Sequence, residues 1–303
     1  MAAGAPTPPA QRRIWDTPER APTLERFYRE LMTMDQLPSA PEVAQRMLVM
    51  VNRDNVNAKD LSTLIARDQS LTARLLRLAN SAFFAIRSKV TSIPQAVTLL
   101  GFARVRDLVL GLSVWGALDG KSTAGRRHRK QMWVHTATVA AVAKMLAERN
   151  RRDGAEAFAA GLLHDVGKLV FGVRLGDSYW TMLDDAIENG DDPATVEEAA
   201  FGCHHGIVGG WLMQLWQLPP ALADAVALHH DPLDPAFGLD LPTLITVADK
   251  LVKATDPDSG VARGETLQEL RTFAPDLLQA DQWRVLYAEL AKEQQAIAGI
   301  FEG

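Results

Sequence analysis

The chain has 303 residues, 47% apolar and 23% charged, a globular composition that excludes a disordered protein and leaves room for about two domains. Its formal net charge of −5 argues against a protein that coats nucleic acid at large, and a single cysteine, Cys203, excludes an internal disulfide framework and suits a reducing compartment. All seven histidines lie between His128 and His230.

Residues 1–23 carry Pro6, Pro8, Pro9, Pro18 and Pro22 among Ala and Gly, and read as a flexible leader. No apolar run follows Arg12 and Arg13, so a secretory signal is not expected. No stretch reaches the roughly 18 uninterrupted apolar residues of a membrane span, and a cytoplasmic, soluble protein is expected. Helix signals then dominate. Ser39-Ala-Pro-Glu42 precedes Val43, Met47, Leu48 and Val51, and Ser70 precedes Leu71, Leu75, Leu76 and Leu78 at helical spacing. Ser92 and Pro94 open a further helix that Gly101 closes, and Val105, Leu108, Val109 and Leu112 mark the next. The best internal break is Asp119-Gly-Lys-Ser-Thr-Ala-Gly-Arg126, rich in loop formers.

Beyond it, helices are expected over 130–149, 155–172, 178–189, 193–201, 205–217, 219–230, 241–254 and 279–299, with Gly190 and Gly202 as stops. The fold class is all-α. Nine Lys or Arg crowd 121–152 against one acid, Glu148, whereas 177–198 holds eight acids and no Lys or Arg. Solvated helix faces explain both runs; the sharper reading pairs the basic run with the acidic one or with an acidic partner. His128, inside Arg126-Arg-His-Arg-Lys130, reads as part of a solvated basic face.

Chemistry concentrates in Gly161-Leu-Leu-His164-Asp165-Val-Gly167-Lys168-Leu169. Adjacent His and Asp in an apolar helical context are costly to bury unpaired, and a divalent ion removes that cost. Alone, the pair reads better as a salt bridge near a helix end. It is accompanied by His135, His204-His205, His229-His230, and Asp249 within the apolar run Leu244–Leu251. Asp249 has its own bland account, pairing with Lys250 or an arginine. The order His, His-Asp, His, His-His, Asp is harder to assign to chance.

That order resembles the HD superfamily of metal-dependent phosphohydrolases. More specifically, Leu37-Pro-Ser-Ala-Pro41, Asp68 to Ser81, Ser92 to Gly101, His205 to Leu212 and Trp216-Gln-Leu-Pro219 resemble the HDOD (HD-related output domain) subgroup over about residues 30–255. The resemblance implies an HD-superfamily helical bundle with an additional N-terminal helical subdomain. The expected layout is a leader at 1–23, an N-terminal subdomain at 24–120, a metal-site subdomain at 127–255, and C-terminal helices at 256–303 packed on the core. Similarity to the related HD-GYP phosphodiesterases implies one divalent ion on His135, His164, Asp165 and Asp249. Asp165 would bridge to a second ion on His205, His229 and His230. One or two ions are expected, with Fe, Mn, Zn, Ni and Mg not distinguished.

Lys168 is a candidate phosphate contact, or else a solvated lysine; if the chain is an enzyme, Asp165 and Lys168 are its catalytic candidates. His204 falls at a non-ligand position, and Cys203 reads as a small semi-buried thiol rather than a soft ligand. Trp133, Trp211 and Trp216 are expected to pack on the core. After His229-His230 the chain runs Asp231 to Pro242 without the Gly-Tyr-Pro signature of an HD-GYP substrate loop. The resemblance therefore favours a signal-transduction module that binds metal and acts on a regulatory protein partner in trans, without robust catalysis. The alternative is an active metal-dependent phosphohydrolase on a nucleotide or cyclic dinucleotide. A nucleotide or phosphate ligand suits either reading, and neither a membrane nor a nucleic acid is expected as partner.

Overall fold

A computed structural model describes residues 41–51, 58–81, 84, 86, 88–117, 123–255 and 263–273, and every regular element among them is helical. The first part holds α1 (Glu42–Val51), α2 (Ala58–Ile65), α3 (Gln69–Ala79), α4 (Ile93–Leu100) and α5 (Phe102–Ala117). Next come α6 (Thr123–Arg149), α7 (Gly154–Leu163), α8 (Val166–Leu175), α9 (Asp177–Asn189) and α10 (Pro193–Phe201). The last helices are α11 (His205–Leu215), α12 (Pro220–Ala227), α13 (Leu241–Thr255) and α14 (Arg263–Phe273). The expected leader and the helix at 279–299 lie outside the described residues.

Local chemistry sets the ends. Asp68 caps α3, its carboxylate accepting from the Leu71 amide at 2.9 Å. Ser92 caps α4, and Gly101, at φ +91°, ends it in a conformation that an L side chain resists. Gly190 and Gly202 close α9 and α10 in the left-handed region, as expected. Of the predicted break at 119–126, residues 119–122 are outside the described set and 123–126 already belong to α6.

The single helix predicted over 155–172 is two helices. Asp153 caps α7, which stops at His164; Asp165 sits at φ −92°, ψ 5°, and α8 begins at Val166. The continuous apolar pattern hides this corner because α7 buries all but Glu156 and α8 buries its first stretch, Val166 to Phe171. The helix predicted over 219–230 likewise ends at Ala227, which leaves His229 and His230 in the turn beyond it.

One hydrophobic cluster runs from Ala44 and Leu75 through Trp115, Trp133 and Phe158 to Val226, so helices on both sides of 118–122 share a core. Trp115 joins them: its ring meets Trp133 edge-on at 5.4 Å, and its Nε1 donates to the Leu162 carbonyl at 2.7 Å. Trp133, Trp211 and Trp216 are buried, as expected. A second cluster ties α6 and α7 to α12, α13 and α14 through Val142, Ala159, Leu222, Leu251 and Leu270.

Two glycines permit the close crossings that frame the site. A Cβ on Gly161 would lie 2.6 Å from the Ala140 Cα, so α7 lies directly against α6. A Cβ on Gly167 would lie 1.9 Å from the His205 carbonyl oxygen, so the first turn of α8 touches the start of α11.

Candidate metal centre

All seven predicted ligands converge. His135 comes from the middle of α6, His164 and Asp165 from the corner between α7 and α8, and His205 from the first residue of α11. His229 and His230 follow α12, and Asp249 comes from the middle of α13. His164, Asp165, His205, His229 and Asp249 are buried, and the His135 side chain is 19% exposed.

Ligand atoms form three overlapping groups: His135 with His164 and Asp249, His205 with His229 and His230, and between them His164 with Asp165 and His229. His135 Nε2 lies 3.0 Å from Asp249 Oδ1, and His205 Nε2 lies 3.0 Å from Asp165 Oδ1. His164 Nε2 and His229 Nε2 approach Asp165 Oδ1 at 3.6 and 3.8 Å. His205 Nε2 and His230 Nε2 are 2.9 Å apart.

The donor atoms fit a cation. His135 Nε2, His164 Nε2, Asp165 Oδ1, His229 Nε2 and Asp249 Oδ1 are buried without a hydrogen-bond partner. Such atoms are costly unless something coordinates them, and neutral imidazoles with carboxylates suit a divalent ion. The tautomers agree. His164 Nδ1 and His229 Nδ1 each lie 2.7 Å from the carbonyl three residues earlier, Gly161 and Val226. A carbonyl only accepts, so both rings carry the proton on Nδ1 and point the Nε2 lone pair inward.

Burial explains most of the electrostatics. Desolvation pushes His164 down to about 4, and holds His229 and His230 well below the ordinary histidine range with neighbouring imidazoles adding to it. These rings are neutral, as ligation requires. Burial alone would raise Asp165 and Asp249, yet Lys168 beside the one and Lys253 beside the other hold both carboxyls well below their ordinary value. Lys168 Nζ donates to Asp165 Oδ2 at 2.8 Å, and Lys253 Nζ lies 2.7 Å from Asp249 Oδ2. Burial is the largest influence on His205 and lowers it, but the Glu197 carboxylate and the bond to Asp165 together outweigh it and the ring is raised.

Several expectations change here. Lys168 is buried on a ligand rather than solvated. Asp249 pairs with Lys253, while Lys250 reaches Glu269 at 2.7 and 2.9 Å. His128 is buried and stacked on Trp180 at 4.8 Å, not on a solvated face. The basic and acidic runs do meet, through Arg127 on Asp184 and His128 at 3.4 Å from the same carboxylate. His204 is half-buried and caps α11, its Nδ1 accepting from the Gly206 amide. Cys203 is a buried thiol, pushed up to about 12 by burial and by Glu197 and Glu198, and it joins no ligand group. Sequence reasoning missed Glu197, which is fully buried although it sits in the acidic run, and missed Lys253, whose only signal was its place four residues after Asp249.

A corner that carries His-Asp, closed in a helical bundle by histidines and an aspartate from separate helices, defines an HD-type helical fold with a candidate metal site. The HDOD domain family matches residues 37–232, and the chain belongs to that family. A candidate phosphohydrolase from Shewanella amazonensis is similar at 25% identity and TM-score 0.68, covering 89% of this chain and 97% of that one. An HDOD domain protein of unknown function from Geobacter sulfurreducens is 23% identical with a TM-score of 0.69, covering 92% and 98%. A candidate signal-transduction protein from Marinobacter aquaeolei is 24% identical with a TM-score of 0.67, covering 93% of this chain and 65% of that one. An uncharacterized protein of Treponema pallidum is 23% identical over 257 residues, covering 80% of this chain, which spans about half (49%) of that relative. No helix among the described residues is long and apolar enough to cross a membrane.

Proposed function

We propose that this chain is a metal-binding signal-transduction module of the HDOD family that acts through contacts with a regulatory protein, without robust catalysis. The observation that carries this reading is the burial of five of the seven candidate ligands, all but His135 and His230, together with the two lysines. His164, Asp165, His205, His229 and Asp249 are no more than 3% exposed, and one oxygen of each aspartate is already taken by Lys168 or Lys253. A substrate phosphodiester has little open surface from which to reach an ion in such a cage. The missing Gly-Tyr-Pro signature after His230 agrees.

His135, His164, Asp165 and Asp249 would hold one ion, and Asp165, His205, His229 and His230 a second. Bound divalent ions supply positive charge that polarises phosphate oxygens and activates water. In this chain the surrounding groups chiefly position: the Gly161 and Val226 carbonyls aim imidazoles, and the lysines keep both aspartates ionised. The resemblance to the Shewanella candidate phosphohydrolase supports the second reading, an active metal-dependent phosphohydrolase on a nucleotide or cyclic dinucleotide.

Elemental analysis of protein purified without chelator, followed by turnover assays with Mn²⁺ or Fe²⁺, separates the two. Bound metal with no release of phosphate and no opening of cyclic dinucleotides upholds the module. Robust turnover that Asp165→Ala abolishes in a folded protein overturns it for the enzyme. Less than about one ion per chain overturns both.

A further inference from the structure

Glu197 is a fully buried, hydrogen-bonded carboxylate that nothing in the ligand pattern accounts for. It is 0% exposed on α10, within the stretch where the neighbouring acids Asp191, Asp192 and Glu198 face solvent. Its Oε2 accepts both the His205 backbone amide and His205 Nδ1 at 2.6 Å each. Its Oε1 accepts the Tyr179 hydroxyl at 2.6 Å, and Tyr179 is itself buried against Phe171 and Trp180. Every oxygen of this carboxylate is therefore spent, and two of its three bonds go to one residue.

The other inner ligands are held differently. His164 and His229 rest Nδ1 on neutral backbone carbonyls of their own helix ends. His205 stands at the N-terminal end of α11, where backbone groups are donors rather than acceptors. No carbonyl is on hand to fix its ring, and a carboxylate from another helix takes that place. An anionic acceptor does more than a carbonyl: it fixes the Nδ1–H tautomer, aims Nε2 into the cluster and makes that nitrogen a stronger donor. Metal-ligating histidines elsewhere use carboxylates in this way, and losing one typically costs about 10–100-fold in metal affinity.

We infer that Glu197, anchored by Tyr179, is the positioning residue that makes His205 a ligand and sets the affinity of the half-site formed by His205, His229 and His230. The inference rests on the metal-binding reading of the centre. The hydrogen bonds of Glu197 go to His205 and Tyr179, and none of them reaches His135, His164 or Asp249, so its influence falls first on the half of the cluster that holds His205.

Titration of chelator-stripped protein with Co²⁺, followed by its visible absorption and by calorimetry, tests this with Glu197→Gln and the wild type side by side. The wild type is expected to take up two ions; no uptake by the wild type overturns the metal reading itself, and with it this inference. Glu197→Gln, which keeps the shape and loses the charge, is expected to bind the first ion unchanged and the second about 10-fold more weakly or worse, with an altered spectrum for that ion alone. Equal binding of both ions overturns the inference, as does equal weakening of both, which marks Glu197 as merely structural. If Glu197→Gln does not fold, as judged by circular dichroism, Tyr179→Phe is used instead. Selective weakening of the second ion, by about threefold or more, then supports the inference, and unchanged affinities for both overturn it.

Discussion

Asp165 lies between the two groups of histidines, and its removal has a different expected consequence from that of a peripheral ligand. Asp165→Ala is expected to abolish uptake of both ions and to leave Lys168 with a buried, unpaired charge. Truncating one partner of a buried pair typically costs about 3–5 kcal/mol. His135→Ala, at the exposed side, is expected to weaken mainly one ion; equal loss of both in elemental analysis would contradict the division of the site. His128 illustrates a residue whose stability contribution depends on pH. Burial holds its imidazole below the ordinary value against the raising pull of Asp184. The unfolded chain thus takes up the proton first as pH falls, so stability is intact above about pH 6.5 and is lost progressively below it. His128→Phe, which keeps a ring on Trp180, is expected to show a smaller fall in denaturation midpoint across that value than the wild type.

At the level of helices, the decisive contacts are the crossings at Gly161 and Gly167. A methyl at Gly167 would meet backbone atoms, the His205 oxygen at 1.9 Å and the Gly209 nitrogen at 2.8 Å, neither of which can swing aside. Gly167→Ala is expected to cost about 3 kcal/mol in denaturant unfolding and to lower metal affinity, because it separates Asp165 from His205. These crossings also show what the sequence disclosed. The seven candidate ligands stood out in the sequence because His and Asp amid apolar residues are chemically conspicuous and their order resembles the HD pattern, and the Ser92 and Gly101 caps because a hydroxyl bonds nearby backbone and a residue without Cβ accepts a φ of +91°. The corner at His164-Asp165 was not legible, since α7 and the buried first part of α8 give an uninterrupted apolar pattern. Glu197 was hidden by composition: its neighbours in sequence are solvated acids, and only packing against Tyr179 and His205 separates it from them. Lys253 was passed over for Lys250, although a helix places i+4, and not i+1, on the face shared with Asp249.

Over the whole molecule, the shared core around Trp115 implies that the helices before and after 118–122 unfold together. Trp115→Phe removes the bond to the Leu162 carbonyl inside that core and is expected to cost about 1–3 kcal/mol in a single transition. Two separate transitions in calorimetry would show instead that the halves are independent. Because its ligands run from His135 to Asp249 and come from separate helices, the centre has no local version in an unfolded chain. In an unfolded chain only the neighbouring pairs His164-Asp165 and His229-His230 lie close together, so a divalent ion would find the full donor set only once the helices have docked. Stopped-flow refolding is accordingly expected to proceed at the same rate with and without Mn²⁺, while unfolding slows as the ion is added. The metal would then act as a latch on the finished bundle rather than as a seed for it.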